Sequence, residues 1–213
     1  MTKKATTPAT DKPFMDQVEA VSDKRRKTMM AKLEQGFDDR AAFEATHQPA
    51  NSSIQDKLKA YRKKMVLPGI AALSLAANVD PNFMNGSGNN ANKRFNVYAI
   101  DKLADLLHGL NSGHIKNAVN KAVVQSLFRF AEAGVPFTGL AAQGAVSANL
   151  KVDKSIEGLL VRHSASPGTA PTQSSSTMNA LAVLGAVKNI GSPKHPVWEL
   201  TGAPVVDRLK EVA

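Results

Sequence analysis

The chain has 213 residues, with 27 Lys or Arg against 18 Asp or Glu and no cysteine, for a net charge of +9. That length suits one domain of ordinary size, or a small domain with appendages. The missing thiols exclude a disulfide framework, a thiol nucleophile, thiolate zinc sites and iron–sulfur ligation. The charge makes a polyanion the natural partner, with nucleic acid ahead of anionic membrane. No uninterrupted apolar run approaches the ~18 residues of a membrane span, so no membrane association is expected. Residues 1–64 carry 14 cations and 9 anions, residues 65–134 carry 6 and 4, and residues 135–213 carry 7 and 5, so over half of the excess lies in the first third.

Residues 1–13, rich in Thr, Lys, Ala and Pro, read as a disordered arm. The lysines near the start have no apolar run behind them, which argues against a secretory signal. Cytosol is the expected compartment, that of a host bacterium if the chain is phage-encoded. From Phe14 to about Phe43, the residues Phe14, Val18, Val21, Met29, Leu33 and Phe37 recur at helical spacing. The stripe is interrupted by Lys24-Arg25-Arg26-Lys27, which suggests a helix only partly docked, or one that forms on binding. Residues 1–49 are thus a basic N-terminal region, partly disordered and partly helical.

Residues 50–114 read as a helical segment with an Asn/Gly loop. His47 to Ser53 forms a linker and Ser53 a candidate N-cap, for a helix with Ile54, Leu58, Tyr61 and Met65 on one face. Its other face holds Lys57, Lys59, Arg62, Lys63 and Lys64. A short apolar helix is expected from Ile70 to Val79, a loop from Asp80 to Asn92, and a helix from Val97 to Leu110. Lys93-Arg94-Phe95-Asn96-Val97-Tyr98 interleaves cations with aromatics, the mixture by which a protein stacks unpaired bases while holding phosphates.

In residues 115–213, a helix from Ile115 to about Ala133 stops at Gly134, and Val135 to Thr138 is short and extended. Leu140–Ala148, Val152–His163 and Thr172–Leu184 are further helix candidates. Two β-prone segments, Val187–Ile190 and Val197–Thr201, flank the turn-rich Gly191 to Pro196. A helix pair, a helix with a polar N-terminal half and then a hairpin resembles a winged helix-turn-helix domain over about residues 115–202. The resemblance implies that the third helix meets DNA through Gln173, Ser174, Ser175, Ser176, Thr177 and Asn179, and that Lys188, Asn189, Lys194 and His195 belong to the wing. The segment Ser164 to Pro171 is longer than the usual turn, and the third helix has no Arg or Lys, which guanine-edge readout normally uses. The small, basic, cysteine-free chain with a helical body is also similar to single-stranded-DNA-binding cofactors of podovirus RNA polymerases. That similarity implies binding to melted promoters and contact with a polymerase.

Catalytic signals are poor. Gly139 to Ser147 has the glycine spacing of a phosphate loop, but Ala145 stands at the lysine position. The five histidines form no metalloprotease pattern, and Asp101 with Asp105 reads as a solvated pair of carboxylates rather than a metal site. No enzyme, metal or cofactor is expected. The sequence therefore points to a mainly α protein with a flexible basic start and a winged-helix-like end. As a function it suggests a non-catalytic DNA-binding accessory protein, single strands slightly ahead of duplex, supporting viral transcription or replication. Phosphate contacts are assigned to Lys24, Arg25, Arg26 and Lys27 and to Lys57, Arg62, Lys63 and Lys64, and base stacking to Phe95 and Tyr98 beside Lys93 and Arg94. A virion or assembly component and a duplex-DNA winged-helix repressor are the alternatives, and a homo-oligomer stays open.

Overall fold

The apolar residues from Phe14 to Phe37 at helical spacing are all buried, but on two helices and, at Val21, in the break between them rather than on one helix. The computed structural model describes residues 12–85 and 94–213. Most of the expected N-terminal arm, most of the Asn/Gly loop and Lys93 lie outside the described residues. Helix α1 spans Phe14–Glu19, and α2 restarts at Asp23 and runs to His47. The basic run is therefore the first turn of α2, and it does not leave the helix loose: Met29, Leu33 and Phe37 pack into the core, and α2 lies against α3 (Ser52–Met65) and α4 (Pro68–Ala76). The expectation of a partly docked N-terminal helix is corrected, because the apolar seam resumes at Met29 past the cations.

Ser53 does not cap α3; Asn51 holds that position without a side-chain cap bond, and Ser53 Oγ instead accepts from Lys57 Nζ at 3.1 Å. One buried ion pair fixes the far end of α2. Arg40 Nε donates to Glu44 Oε1 at 2.7 Å, and Arg40 Nη1 donates to the carbonyls of Met84 and Phe95, each at 2.7 Å. Arg40 thereby ties together the two described ends of the Asn/Gly loop.

Helix α5 (Val97–Ser112) starts at Asn96, whose Oδ1 accepts from the Tyr98 amide, and stops at Gly113 with φ +84°, a left-handed conformation that glycine adopts without strain. Helix α6 (Ala118–Glu132) is capped by Asn117 and followed by Gly134 at φ +66°. Then come β1 (Phe137–Thr138), α7 (Gly139–Val146), α8 (Lys154–Glu157), α9 (Ala170–Val183), β2 (Val187–Asn189), β3 (Val197–Leu200) and α10 (Pro204–Val212). The chain is mainly helical, with ten helices and one antiparallel sheet of order β1-β3-β2 among the described residues. In the sheet Phe137 pairs with Trp198 and Lys188 with Glu199.

The helix expected over Val152–His163 shrinks to the four residues of α8. Tertiary hydrogen bonds replace helical ones beyond Leu160: the Val161 amide donates to Ser126 Oγ at 2.8 Å, and the His163 amide donates to the Ala145 carbonyl at 2.8 Å. Helix α10 is an addition to the elements expected from sequence. Its Val205, Leu209 and Val212 are buried, and it packs on α1, α5 and α6. One apolar cluster runs from Phe14 to Val212, so the boundaries at 49/50 and 114/115 separate stretches of chain that share a core.

Candidate nucleic-acid interface

Helix spacing places Lys57, Tyr61 and Lys64 along one side of α3, and Tyr98, Asp101, Lys102, Asp105 and His108 along one side of α5. The two helices pack together, so these residues form a single seam. Lys57 Nζ lies 4.7 Å from the Tyr98 ring centroid and 3.3 Å from its hydroxyl. Lys64 Nζ pairs with Asp101 Oδ1 at 2.7 Å, and the Lys64 carbonyl meets His108 Nε2 at 3.0 Å. Tyr98 is 50% exposed, which leaves much of its surface open to solvent. Tyr61 is buried, and burial, followed by the charges of Asp101 and Tyr98, pushes its phenol up to about 12.

A cleft of about 350 Å³ opens beside this seam, between Tyr61, Tyr98 and Lys102 on one side and His163, Thr169 and Gln173 on the other. Lys102 is buried at its floor. Desolvation lowers its pKa from the ordinary lysine value, opposed by Asp101 and Asp105. Its ammonium donates to Asn117 Oδ1 at 3.0 Å. Asn117 belongs to a polar network joining α5, α6 and α9: Asp105 accepts from the Asn117 amide at 3.0 Å and from Asn120 Nδ2 at 2.8 Å. Asp105 is therefore a structural acceptor, not the solvated carboxylate the sequence suggested.

The same network overturns part of the expected DNA-facing helix. Thr177 Oγ1 donates to Asn120 Oδ1 at 2.9 Å, and Thr177, Ser176 and Ser174 are 0%, 1% and 4% exposed. Helix α9 is enclosed by α5, α6, α7 and β2, so these three hydroxyls face protein and cannot meet DNA. Ser175 is exposed, and Gln173 and Asn179 are half-buried. In the hairpin, Lys188 Nζ pairs with Glu199 Oε2 at 2.7 Å. Asn189 Oδ1 accepts from the Gly191 and Val197 amides at 2.9 and 3.1 Å, which shapes the hairpin turn, and Asn189 is exposed. Lys194 and His195 are exposed at the tip.

The aromatic–cation segment also divides. Phe95 is half-buried, edge-on to Phe83 at 5.1 Å, and packs against the core, which corrects its assignment to base stacking. The Arg94 guanidinium lies 3.2 Å from the Phe43 ring centroid, and Phe43 stacks on His47 at 3.8 Å. Of the lysine-rich faces, Arg62 is committed to Glu34 at 2.5 Å and Asp38 at 2.6 Å; the bond to Glu34 leads in raising its pKa. Lys63 is exposed. Arg26 turns back to donate to the Val21 carbonyl at 2.9 Å, whereas Lys24, Arg25 and Lys27 remain exposed on a different part of the surface.

The structure thus puts Tyr98 and Gln173 on one cleft, with Lys57 against Tyr98 and Lys64 paired with the cleft-lining Asp101, and keeps Lys24 and Arg25 of α2 on another. Sequence reasoning missed Lys102 and Tyr61. Lys102 sits at helical spacing with Tyr98, and that spacing was the available signal. Among the described residues no three His, Asp or Glu side chains converge as a metal-ligand set, and no helix is long and apolar enough to cross a membrane. No family model, curated protein or solved structure matches the chain.

Proposed function

We propose that this chain is a non-catalytic DNA-binding accessory protein, phage-encoded, that holds single-stranded or locally melted DNA along the α3–α5 seam in support of viral transcription or replication. The observation that carries the reading is the half-exposed Tyr98 with Lys57 against it, at the mouth of a cleft with buried Lys102 at its floor. A base stacks on the tyrosine while the neighbouring ammonium groups meet the phosphates. Lys57, Lys64, Lys102 and Lys116 along this side outnumber Asp101 and Asp105, so the seam retains a positive bias.

The order helix, strand, two helices separated by the single-turn α8, and hairpin, with sheet order β1-β3-β2, supports a winged-helix-like reading of the C-terminal part, with α9 as its third full helix. Its third helix offers DNA a polar, uncharged strip of Thr172, Ser175 and Asn179, which favours backbone contact over duplex sequence readout. Fluorescence anisotropy with a labelled oligo-dT strand and a matched duplex, at about 50 and about 200 mM salt, tests the proposal. Strand affinity should fall steeply with salt, and Tyr98→Ala should weaken strand binding by about 5- to 150-fold, the worth of one stacked base, with a smaller effect on duplex. Absence of strand binding at low salt refutes the function; full strand affinity in Tyr98→Ala refutes the site.

A further inference from the structure

A second cleft, of about 340 Å³, lies between the first turns of α2 and the end of α4, away from the tyrosine seam. Its rim carries the exposed Lys24, Arg25 and Lys32, and its apolar lining includes Met29, Leu75 and Val79. We propose that this cleft is a docking site for an acidic amphipathic segment of a partner protein, its carboxylates on the rim and its apolar side chains in the cleft.

Charge decides the sign of the occupant. Elsewhere on the surface Arg62, Lys64, Arg162, Lys188, Arg208 and Lys210 are paired with carboxylates. Among the described residues no carboxylate lies within 4.0 Å of Lys24, Arg25 or Lys32. Three like charges around one cleft repel, and an anionic partner relieves that repulsion.

The lining decides its class. Met29 and Val79 are 3% and 4% exposed, with Leu75 half-buried beside them, and no aromatic ring lines the cleft. A nucleic-acid strand would use the cations but find no ring on which to stack a base. An amphipathic helix uses both, because apolar anchors three or four residues apart enter the groove while acids on the flanks reach the rim.

The test uses the full chain and a fluorescein-labelled peptide of about 15 residues, with glutamates and leucines at helical spacing, long enough to fold on docking. Two controls replace its leucines by serine or its glutamates by lysine. The parent peptide should bind, each control should bind at least about tenfold more weakly, and Thr28→Glu with Lys32→Glu, both on the cleft, should lower parent affinity by at least about tenfold. Both substituted side chains are exposed, so the variant should melt like the parent protein. Oligo-dT affinity should change by less than about twofold in the same variant, because exposed charges on a separate surface are largely screened from the strand. No peptide binding, equal binding of the serine control, undiminished binding by the variant, or a parallel loss of oligo-dT affinity would each overturn the docking site. The peptide and oligonucleotide are read separately, so failure here leaves the strand-binding proposal standing, and the converse holds.

Discussion

Replacing Arg40 by methionine should be among the most damaging single changes in this protein. The Arg40 and Glu44 side chains are each 5% exposed, so the carboxylate left behind has little access to water. Oε1 of Glu44 loses its 2.7 Å partner, and Oε2 already has none among the described residues. The carbonyls of Met84 and Phe95 lose their donor in the same step. Removing one member of a buried pair costs about 3–5 kcal/mol, because the remaining charge is uncompensated. For a chain of this length that corresponds to a melting temperature lower by about 6–20 °C. Circular dichroism melts and urea titrations of the parent, Arg40→Met, Glu44→Leu and the double variant measure it. The double variant should be more stable than Arg40→Met, since no buried carboxylate remains, with a residual loss from the two carbonyls. A loss below about 1 kcal/mol in Arg40→Met, or a double variant as unstable as the sum of the singles, would show that Arg40 is not the tie across this loop.

Two further outcomes follow from buried groups. The Tyr61 phenol is raised in the folded state above its ordinary value of 10.0 to about 12, so its contribution is complete below pH 10 and is lost as pH rises toward 12. Stability measured by urea titration between those values should fall less steeply in Tyr61→Phe than in the parent, and parallel curves would refute the assignment. In α9, Thr177→Val should cost about 1–3 kcal/mol by leaving Asn120 Oδ1 without its donor. Ser176→Ala should be neutral or stabilising, because its buried Oγ has no partner among the described residues. Equal urea midpoints for the two variants would refute the network.

The elements were legible where their causes are local. Apolar spacing located α4, α5, α6, α7 and α9 to within a few residues, and Gly134 marked the end of α6 because a left-handed stop follows from the chain itself. The exception over Val152–His163 has a non-local cause, since Ser126 and Ala145 take up the amides that a helix would have used. Helix α10 was passed over despite Pro204 at its start and an apolar face of Val205, Leu209 and Val212.

The candidate site was legible as residue types but not as an arrangement. Sequence singled out Lys57, Lys64, Tyr98 and Gln173 separately; the packing of α5 on α9 put Tyr98 and Gln173 on one cleft with Lys102, and that of α3 on α5 set Lys57 against Tyr98 and Lys64 against Asp101. The same packing removed Ser174, Ser176 and Thr177 from the surface. A serine or threonine is small, with one hydroxyl, and is compatible with water or with a buried acceptor, so its face cannot be told from its identity. Arg62 and Lys24 are equally charged in the sequence, but Arg62 finds Glu34 and Asp38 across a helix interface while Lys24 borders an apolar cleft. By itself, then, the sequence determined a basic, thiol-free, mainly helical chain and the apolar faces that build its core, because hydrophobic periodicity and capping act within a few residues. Which cations stay free, which hydroxyls are enclosed and which residues share a cleft were decided by tertiary structure, because each depends on partners far away along the chain.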